Sequence, residues 1–170
     1  IYQIEPIGVV IPKTSDDVIA VIETANKYKF PVLPRGGGTS LAGQTVGEAI
    51  VIDFSKYMRN VLEINAEERW VKTQPGIILD ELNHHLHPYG LLFAPDPSTS
   101  NRGNVGGALG NNSCGAHSIV WGKTSDNVHR LNVILANGQT TQFGTLDNTE
   151  LKSKMNVAGL EGDIYRRLHS

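Results

Sequence analysis

A glycine-rich stretch near the N-terminus carries the residue types that bind phosphate. Residues 36–38 are three consecutive glycines, with Arg35 before them and Thr39 and Ser40 after them. Because glycine has no Cβ, backbone N–H groups can converge on an anion without steric hindrance. The two hydroxyls add hydrogen-bond donors, and the arginine adds a fixed positive charge. We predict that this stretch, which we call the glycine loop (residues 34–44), is a diphosphate cradle.

The glycine loop differs from two better-known phosphate-binding loops. The spacing from Gly38 to Thr45 is that of a Walker A loop, but Gln44 stands where the lysine is required, which argues against NTP hydrolysis. A dinucleotide fingerprint beginning at Gly36 lacks its third glycine, because Leu41 occupies that place, and no long helical pattern follows at once. The remaining alternative is a glycine-rich hairpin loop that binds no ligand.

A second stretch rich in glycine and small polar residues spans positions 94–122 and carries few charges. Its amides, hydroxyls and backbone N–H groups suit the polar, uncharged edge of a heterocycle with a diphosphate behind it. A loop region of this length inside a compact domain is more often functional than not, the alternative being a flexible surface region. Five embedded apolar residues are expected to anchor it to a core: Val105, Ala108, Leu109, Ile119 and Trp121.

The residues before the glycine loop predict a βαβ unit. A short strand at residues 9–11 ends at Pro12, and Thr14 or Ser15 can cap the helix that follows. Apolar residues at helical spacing continue to Ala25, and an apolar run at residues 31–33 predicts the next strand. The glycine loop therefore leaves the carboxyl end of a strand, where open α/β sheets usually bind ligands, and we expect both strands that flank it to be buried.

The remaining elements are predicted from periodicity and turn residues. Residues 50–54 form the strand after the glycine loop, and a strand pair at residues 61–64 and 70–74 precedes a helix from Ile78 to Leu86. Strands at residues 128–135 and 139–143 flank an Asn-Gly hairpin turn, and the residues from Leu146 onward are helix-prone.

Histidine and cysteine do not predict a metal or redox centre. His84, His85 and His87 lie at the end of the predicted helix, but no carboxylate or cysteine pattern completes a ligand set, and histidine also suits a helix C-terminus. Cys114 lies between Ser113 and Gly115, and we expect it to be a small, closely packed residue.

Composition narrows the class of protein. The sequence has 170 residues, a formal charge of −2 and one cysteine. This charge argues against nucleic acid as a partner, and no apolar run approaches the roughly 20 residues that cross a bilayer. A single cysteine excludes an internal disulfide and is typical of a reducing compartment, so we expect a cytoplasmic protein, with the inner face of the membrane as its alternative position. The first residue is not methionine, and we expect the chain to be part of a longer protein.

The two small-residue clusters together carry a resemblance to a known family. The motifs are Pro-Arg-Gly-Gly-Gly-Thr-Ser-Leu-Ala-Gly-Gln at 34–44, Gln-Pro-Gly at 74–76, Pro-Asp-Pro-Ser-Thr at 95–99, Gly-Gly at 106–107, Asn-Asn-Ser-Cys-Gly at 111–115 and Leu-Ala-Asn-Gly at 135–138. In this order they resemble the FAD-binding domain of the vanillyl-alcohol oxidase / p-cresol methylhydroxylase family, and most of all its D-lactate dehydrogenase and glycolate oxidase branch.

The resemblance implies a fold class and a domain division. The fold is an α+β, two-lobed FAD-binding domain of the p-cresol methylhydroxylase type, with a βαβ N-terminal lobe and a second lobe containing a mixed sheet. We expect the first lobe at residues 1–55, the second at 56–145, and the start of an insertion or of a following region at 146–170. FAD would lie between the lobes, with its diphosphate on the glycine loop.

The resemblance also implies which residues contact FAD. Arg35 is the expected phosphate contact, with a salt bridge to Asp53 as its alternative. His117 is included as a contact at the flavin edge, but a structural hydrogen bond is the favoured interpretation of this residue. The full set is Arg35, Gly36, Gly37, Gly38, Thr39, Ser40, Leu41, Gly43, Gln44, Pro75, Gly76, Asp96, Pro97, Ser98, Asn104, Gly106, Gly107, Asn111, Ser113, Gly115 and His117.

The sequence departs from the family pattern at two places, and these affect how FAD is expected to be bound and where the domain is expected to end. Relatives that attach flavin covalently have histidine where Thr39 stands, so FAD is expected to be bound without a covalent bond. The glycine-rich segment that closes the family's FAD domain does not follow Asn148.

The expected parent protein oxidises a 2-hydroxy acid such as D-lactate or glycolate and passes electrons to a quinone, cytochrome or iron–sulfur acceptor. Its catalytic residues are expected in a following substrate domain, so none is predicted here.

Two other functions remain open from the residues alone. One keeps the fold and changes the substrate class, as in an alditol or aldonolactone oxidase or a cell-wall-type flavin reductase. The other is a non-catalytic nucleotide-binding fragment.

Overall fold

A computed structural model describes residues 3–169 of the chain. Its N-terminal part is a parallel three-stranded sheet, β1 (Gly8–Val10), β2 (Val32–Arg35) and β3 (Ile50–Asp53), with helix α1 (Ser15–Tyr28) between the first two strands in sequence. The strand order is β1-β3-β2, so β3 is central and pairs Asp53 with Arg35 at its carboxyl end. The predicted βαβ unit is present, with the third strand between its two strands.

The local sequence explains where α1 begins and which face it buries. Thr14 is its N-cap, and a reciprocal capping box joins Thr14 to Asp17, as Ser/Thr and acidic residues at these positions favour. Val18 and Ile22 pack with Ile52 and Met58 in the first hydrophobic cluster. The expectation that both strands flanking the glycine loop are buried is wrong for β2, which is an edge strand with Val32 37% exposed.

A second hydrophobic cluster forms around an antiparallel hairpin. Strands β4 (Val61–Asn65) and β5 (Trp70–Thr73) pair, and helix α2 (Leu79–Leu86) follows, ending in a 3₁₀ turn at His87–Tyr89. Ile77, Leu82 and Leu86 form this cluster with apolar side chains of both strands packed against them. The second cluster is separate from the first, as the two-lobed fold requires.

The long polar region at residues 94–122 is partly helical, which corrects its interpretation as a loop. It contains α3 (Val105–Asn111) and α4 (Ser118–Trp121). Glycines at 106, 107 and 110 hid the helical pattern, because glycine is a poor helix former and carries no apolar side chain. The predicted anchoring is correct for Ala108, which is buried, and wrong for Ile119, which is 95% exposed, and for Trp121, which is also exposed.

The C-terminal part packs on the rest of the chain. After a 3₁₀ turn at Ser125–Asn127, strands β6 (Arg130–Ile134) and β7 (Thr140–Gly144) form an antiparallel hairpin, followed by α5 (Asn148–Met155) and α6 (Leu160–His169). Ile134 packs on the first hydrophobic cluster, and the Asn26 side chain donates to the Ala136 carbonyl at 2.6 Å. Tyr165 of α6 packs against Phe143 of β7, with ring centroids 5.7 Å apart. Between residues 3 and 169, no helix combines the length and apolar character needed to cross a membrane.

An ion pair between α5 and α6 gives the first testable prediction. Lys154 Nζ donates to Glu161 Oε1 at 2.6 Å, and the Glu161 side chain is only 8% exposed. This hydrogen bond lowers the pKa of Glu161. Because the folded pKa lies below the unfolded one, the stabilisation is present above the unfolded pKa of roughly 4.3 and is lost as the pH falls through the folded pKa. We expect Glu161→Gln to lower the free energy of unfolding at neutral pH by about 1–3 kcal/mol.

Urea unfolding of both proteins at neutral and acidic pH measures this effect. The difference between them should shrink as the pH falls below the unfolded pKa of Glu161, and it should vanish once the lowered folded pKa has been passed and the parent carboxyl is protonated too. Asp163→Asn is a matched control, because Asp163 pairs with Arg166 on the exposed side of α6 and should change stability much less. A stability difference that is the same at both pH values would contradict the ion-pair explanation.

Candidate functional site: a cleft between two glycine-rich walls

The glycine loop forms the first wall of a cleft at the carboxyl end of β2. Gly38 has a φ of +67°, a left-handed conformation that favours glycine, and the Arg35 guanidinium lies against it. A Cβ on Gly38 would be 2.6 Å from Arg35 Nη2, and a Cβ on Gly37 would overlap the Arg102 carbonyl oxygen. The consecutive glycines are therefore required by close approach of the chain on both sides of the loop.

Helix α3 forms the second wall. The segment before α2 holds it in place: the Val105 N–H donates to the Ile77 carbonyl at 3.0 Å, and the Gly106 N–H donates to the Pro75 carbonyl at 2.8 Å. A Cβ on Gly106 would be 2.8 Å from the Pro75 Cβ, so only glycine lets the helix approach this segment. Gly107 has no atom near its Cβ position, because it faces the open cleft.

Two direct contacts join the walls. Asn111 Nδ2, at the end of α3, donates to Ser40 Oγ of the glycine loop at 3.1 Å. Asn104, the N-cap residue of α3, lies so close to the glycine loop that a Cβ on Gly36 would be 2.8 Å from its Oδ1. The two small-residue clusters thus face each other across one cavity of about 480 Å³, within the size range of ordinary ligand pockets.

Most of the residues expected to contact a cofactor lie together in this cleft. Fourteen of them line it: Arg35, Gly36, Gly37, Gly38, Thr39, Ser40, Gln44, Pro75, Pro97, Asn104, Gly106, Gly107, Asn111 and Ser113. Seven others do not line it: Leu41, Gly43, Gly76, Asp96, Ser98, Gly115 and His117. Leu41 is 93% exposed to solvent.

Several of the residues outside the cleft have a packing role instead. A Cβ on Gly76 would overlap the Phe54 carbonyl, and a Cβ on Gly115 would overlap the Asp96 carbonyl. The Asp96 carboxylate accepts hydrogen bonds from the His117 backbone N–H at 3.1 Å and from its Nδ1 at 2.5 Å. This side-chain hydrogen bond lowers the pKa of Asp96, and Trp121 stacks on the histidine ring at 5.1 Å. The structural hydrogen bond favoured for His117 is therefore present, and its place at the flavin edge stays a prediction.

Eight residues that line the cleft were not predicted: Pro34, Thr45, Phe54, Leu79, Thr99, Gly103, Ala108 and Gly110. Gly110 lies three residues after Gly107 and four after Gly106, so a helical interpretation of residues 105–111 would have placed it on the same face. Phe54 and Leu79 carry no such signal, because they reach the cleft only through the packing of the two lobes.

The structure bears on the alternative salt bridge of Arg35 and on the expected packing of Cys114. No ion pair joins Arg35 to Asp53 in the described chain, and Asp53 Oδ1 instead accepts from the Ser55 N–H at 2.8 Å. Cys114 is exposed, so its expected close packing is wrong. Across residues 3–169, no cluster of three or more potential ligand side chains could hold a metal ion.

Comparison with known proteins assigns the chain that forms this cleft to a family. A family model described as "FAD binding domain" matches residues 6–144, which is most of the chain. The chain belongs to this FAD-binding domain family. The resemblance predicted from the glycine-rich motifs is confirmed, and with it FAD as the expected cofactor.

Individual relatives of this FAD-binding domain agree with the family assignment. The chain is 41% identical, over 98% of its own length, to D-2-hydroxyglutarate dehydrogenase of Pseudomonas putida, and it covers 17% of that protein. It is 33% identical over 84% of its length to glycolate oxidase subunit GlcD of Bacillus subtilis, and covers 31% of it. A solved carbohydrate oxidase from Microdochium nivale shares the fold, with a TM-score of 0.75 at 21% identity over 86% of this chain and 32% of that one. The expected fold class is confirmed.

The cleft of this FAD-binding domain has the chemistry that a dinucleotide diphosphate needs. Arg35 Nε is buried and has no hydrogen-bond partner in the protein. A buried donor without an acceptor is rare and costly, and Arg35 also lines the cleft, where its positive charge would favour a bound anion. The three glycines beside it line the cleft without side chains, so their backbone N–H groups would be accessible to an anion. The residues present therefore fit FAD.

Proposed function

We propose that this chain is the FAD-binding part of a flavin-dependent oxidoreductase that oxidises a 2-hydroxy acid. The observation that carries the proposal is the shared cleft between the glycine loop and α3, which Arg35 lines and in which Asn111 contacts Ser40. The substrate class comes from the two sequence relatives described above, D-2-hydroxyglutarate dehydrogenase and glycolate oxidase subunit GlcD, whose names refer to 2-hydroxy acids or their oxidation. The chain spans 17% of the first relative, so the complete reaction needs residues beyond this domain.

The residues of this chain bind and orient the cofactor. The Arg35 guanidinium and the backbone N–H groups of the glycine loop would hold the diphosphate, and Thr39 and Ser40 would add hydroxyl donors. Small residues on α3 leave room for the elongated ligand along the helix. When bound, FAD supplies the electron acceptor for oxidation of the hydroxyl-bearing carbon. No residue of this chain is assigned as the base, and a following domain is the proposed source of that group.

Two further elements of the proposal concern the electron acceptor and the cell compartment. We propose that electrons leave to a quinone, cytochrome or iron–sulfur partner, as the resemblance implies. We propose a cytoplasmic protein, including the inner face of the membrane, because one cysteine in 170 residues is typical of a reducing compartment. The division into lobes at residues 1–55 and 56–145 also remains a proposal.

A titration with FAD tests the proposal. The complete protein that contains this chain is mixed with FAD, FMN and ATP, and each binding isotherm is measured by calorimetry, with flavin fluorescence as a second signal. We expect FAD to bind at least about tenfold more tightly than FMN, because FMN lacks the diphosphate bridge and the adenosine half. A cleft for other nucleotides would instead favour ATP, which is the result expected for the non-catalytic nucleotide-binding alternative. Absence of FAD binding at millimolar ligand would refute the proposal.

The substrate class is tested by reduction of the bound flavin. D-2-hydroxyglutarate, D-lactate and glycolate are each mixed anaerobically with the FAD-loaded, complete protein, and the flavin absorbance is followed. Bleaching by one of these acids, and none by alditols or aldonolactones, is the expected result. The reverse pattern would favour an oxidase of another substrate class on the same fold.

A further inference from the structure

The N-cap residue of α3 contributes a second unsatisfied atom to the cleft. Asn104 is 3% exposed and lines the cavity. Its Nδ2 donates to the Gly76 carbonyl, and because a carbonyl only accepts, this hydrogen bond determines which end of the amide is the oxygen. The other end, Oδ1, is buried without a partner. Two residues that line the cleft thus carry buried atoms without partners, an acceptor on Asn104 and a donor on Arg35.

The unpaired oxygen lies beside the glycine loop. A Cβ on Gly36 would be 2.8 Å from Asn104 Oδ1, and a Cβ on Gly37 would be 3.0 Å from it. This is the part of the loop to which the diphosphate is assigned. A phosphate group offers only acceptor oxygens at neutral pH, so it can satisfy Arg35 but not Asn104. A hydrogen-bond donor on the ligand, next to its phosphates, would satisfy Asn104.

We propose that Asn104 Oδ1 accepts a hydrogen bond from a hydroxyl on the sugar or sugar-alcohol chain next to the diphosphate. Asn104 is then a specificity-determining residue that recognises a hydroxylated carrier of the diphosphate. The inference rests on the proposed function and names a contact within the same site. In FAD this hydroxyl has two sources, the ribityl chain on the flavin side and the ribose on the adenine side.

Ligand analogues test the contact without changing the protein. Calorimetry measures the Kd of FAD, of FAD analogues that each lack one ribityl hydroxyl, and of FAD with deoxyribose in place of the adenosine ribose. We expect one of these analogues to bind about 5- to 20-fold more weakly than FAD and the others to bind within about twofold. The analogue that is weakened identifies the source of the hydroxyl.

Two variants assign the effect to Asn104. Asn104→Leu removes both the oxygen and the amide donor. Asn104→Asp keeps an acceptor oxygen, loses the donor to Gly76 and adds a negative charge that should weaken FAD and all analogues alike, so only the ratio of their Kd values is informative. The ratio of analogue Kd to FAD Kd should fall to about one in Asn104→Leu and remain about 5- to 20-fold in Asn104→Asp. A purely structural role would weaken FAD and its analogues equally and leave this ratio unchanged.

The possible results separate the two proposals. Equal binding of FAD and every deoxy analogue by the unmodified chain would overturn the role of Asn104 and leave the proposed function standing. Failure of FAD itself to bind would refute the proposed function and this inference together. If Asn104→Leu does not fold, Asn104→Ala removes the same oxygen with a smaller side chain, and its Kd ratio decides the contact in the same way.

Discussion

Replacing Gly107 with leucine should weaken FAD binding by about 100-fold, or about 2.7 kcal/mol, while the chain remains at least as stable as the parent. Gly107 lies on the cleft face of α3, and no atom approaches its Cβ position within 4 Å. A side chain there meets no protein atom at its first carbon and extends into the space assigned to the cofactor. In a helix, replacing glycine with leucine or alanine adds up to about 1 kcal/mol of stability.

Opposite changes in stability and affinity make this prediction specific to the cleft. Thermal unfolding without ligand and calorimetric titration with FAD are measured for Gly107→Ala and Gly107→Leu, and the affinity should fall with side-chain size. Ala20→Leu on the exposed face of α1 is the matched control for adding an apolar side chain to a helix, and it should leave the Kd unchanged. If Gly107→Leu binds FAD as tightly as the parent, the cofactor does not occupy this cleft.

Replacing Arg35 with methionine should weaken FAD binding by about 10- to 150-fold, the value of about 1.5–3 kcal/mol for a charge-assisted hydrogen bond. The guanidinium Nε is buried and unpaired, so in the FAD complex its partner would be a phosphate oxygen. The ligand-free chain should not lose stability, because removing a buried donor without a partner removes a desolvation cost. The measurement is again the Kd for FAD together with unfolding in the absence of ligand.

The variants Arg35→Lys and Arg59→Met complete this test. Lysine retains the positive charge but not the planar fork of donors, so Arg35→Lys should bind FAD with intermediate affinity. Arg59→Met also removes one positive charge, but Arg59 pairs with Glu81 and does not line the cleft, so this variant should keep the parent Kd. If Arg35→Met lowered stability and left FAD affinity unchanged, Arg35 would have a structural role and not a role in cofactor binding.

Local signals in the sequence were enough to predict the helices and strands around the glycine loop. Glycine runs, capping residues and apolar periodicity act over a few residues, so they predicted α1, the strand before the glycine loop and the helix that ends at Leu86. The same signals failed for α3, because three glycines in a seven-residue helix conceal its apolar face. Exposure of the α4 side chains was missed as well, because burial depends on what packs above an element and not on its own residues.

The sequence alone determined which chemistry this domain can perform, because residue types with phosphate-binding capacity are visible wherever they lie. Only the tertiary structure decided that residues about 70 positions apart share one cleft, since Asn111 reaches Ser40 and Asn104 reaches Gly36 through contacts between the lobes. It also decided that Arg35 and Asn104 carry the two unsatisfied atoms of that cleft. The physical reason is that a hydrogen-bond partner is gained or lost through long-range packing, which no local pattern records.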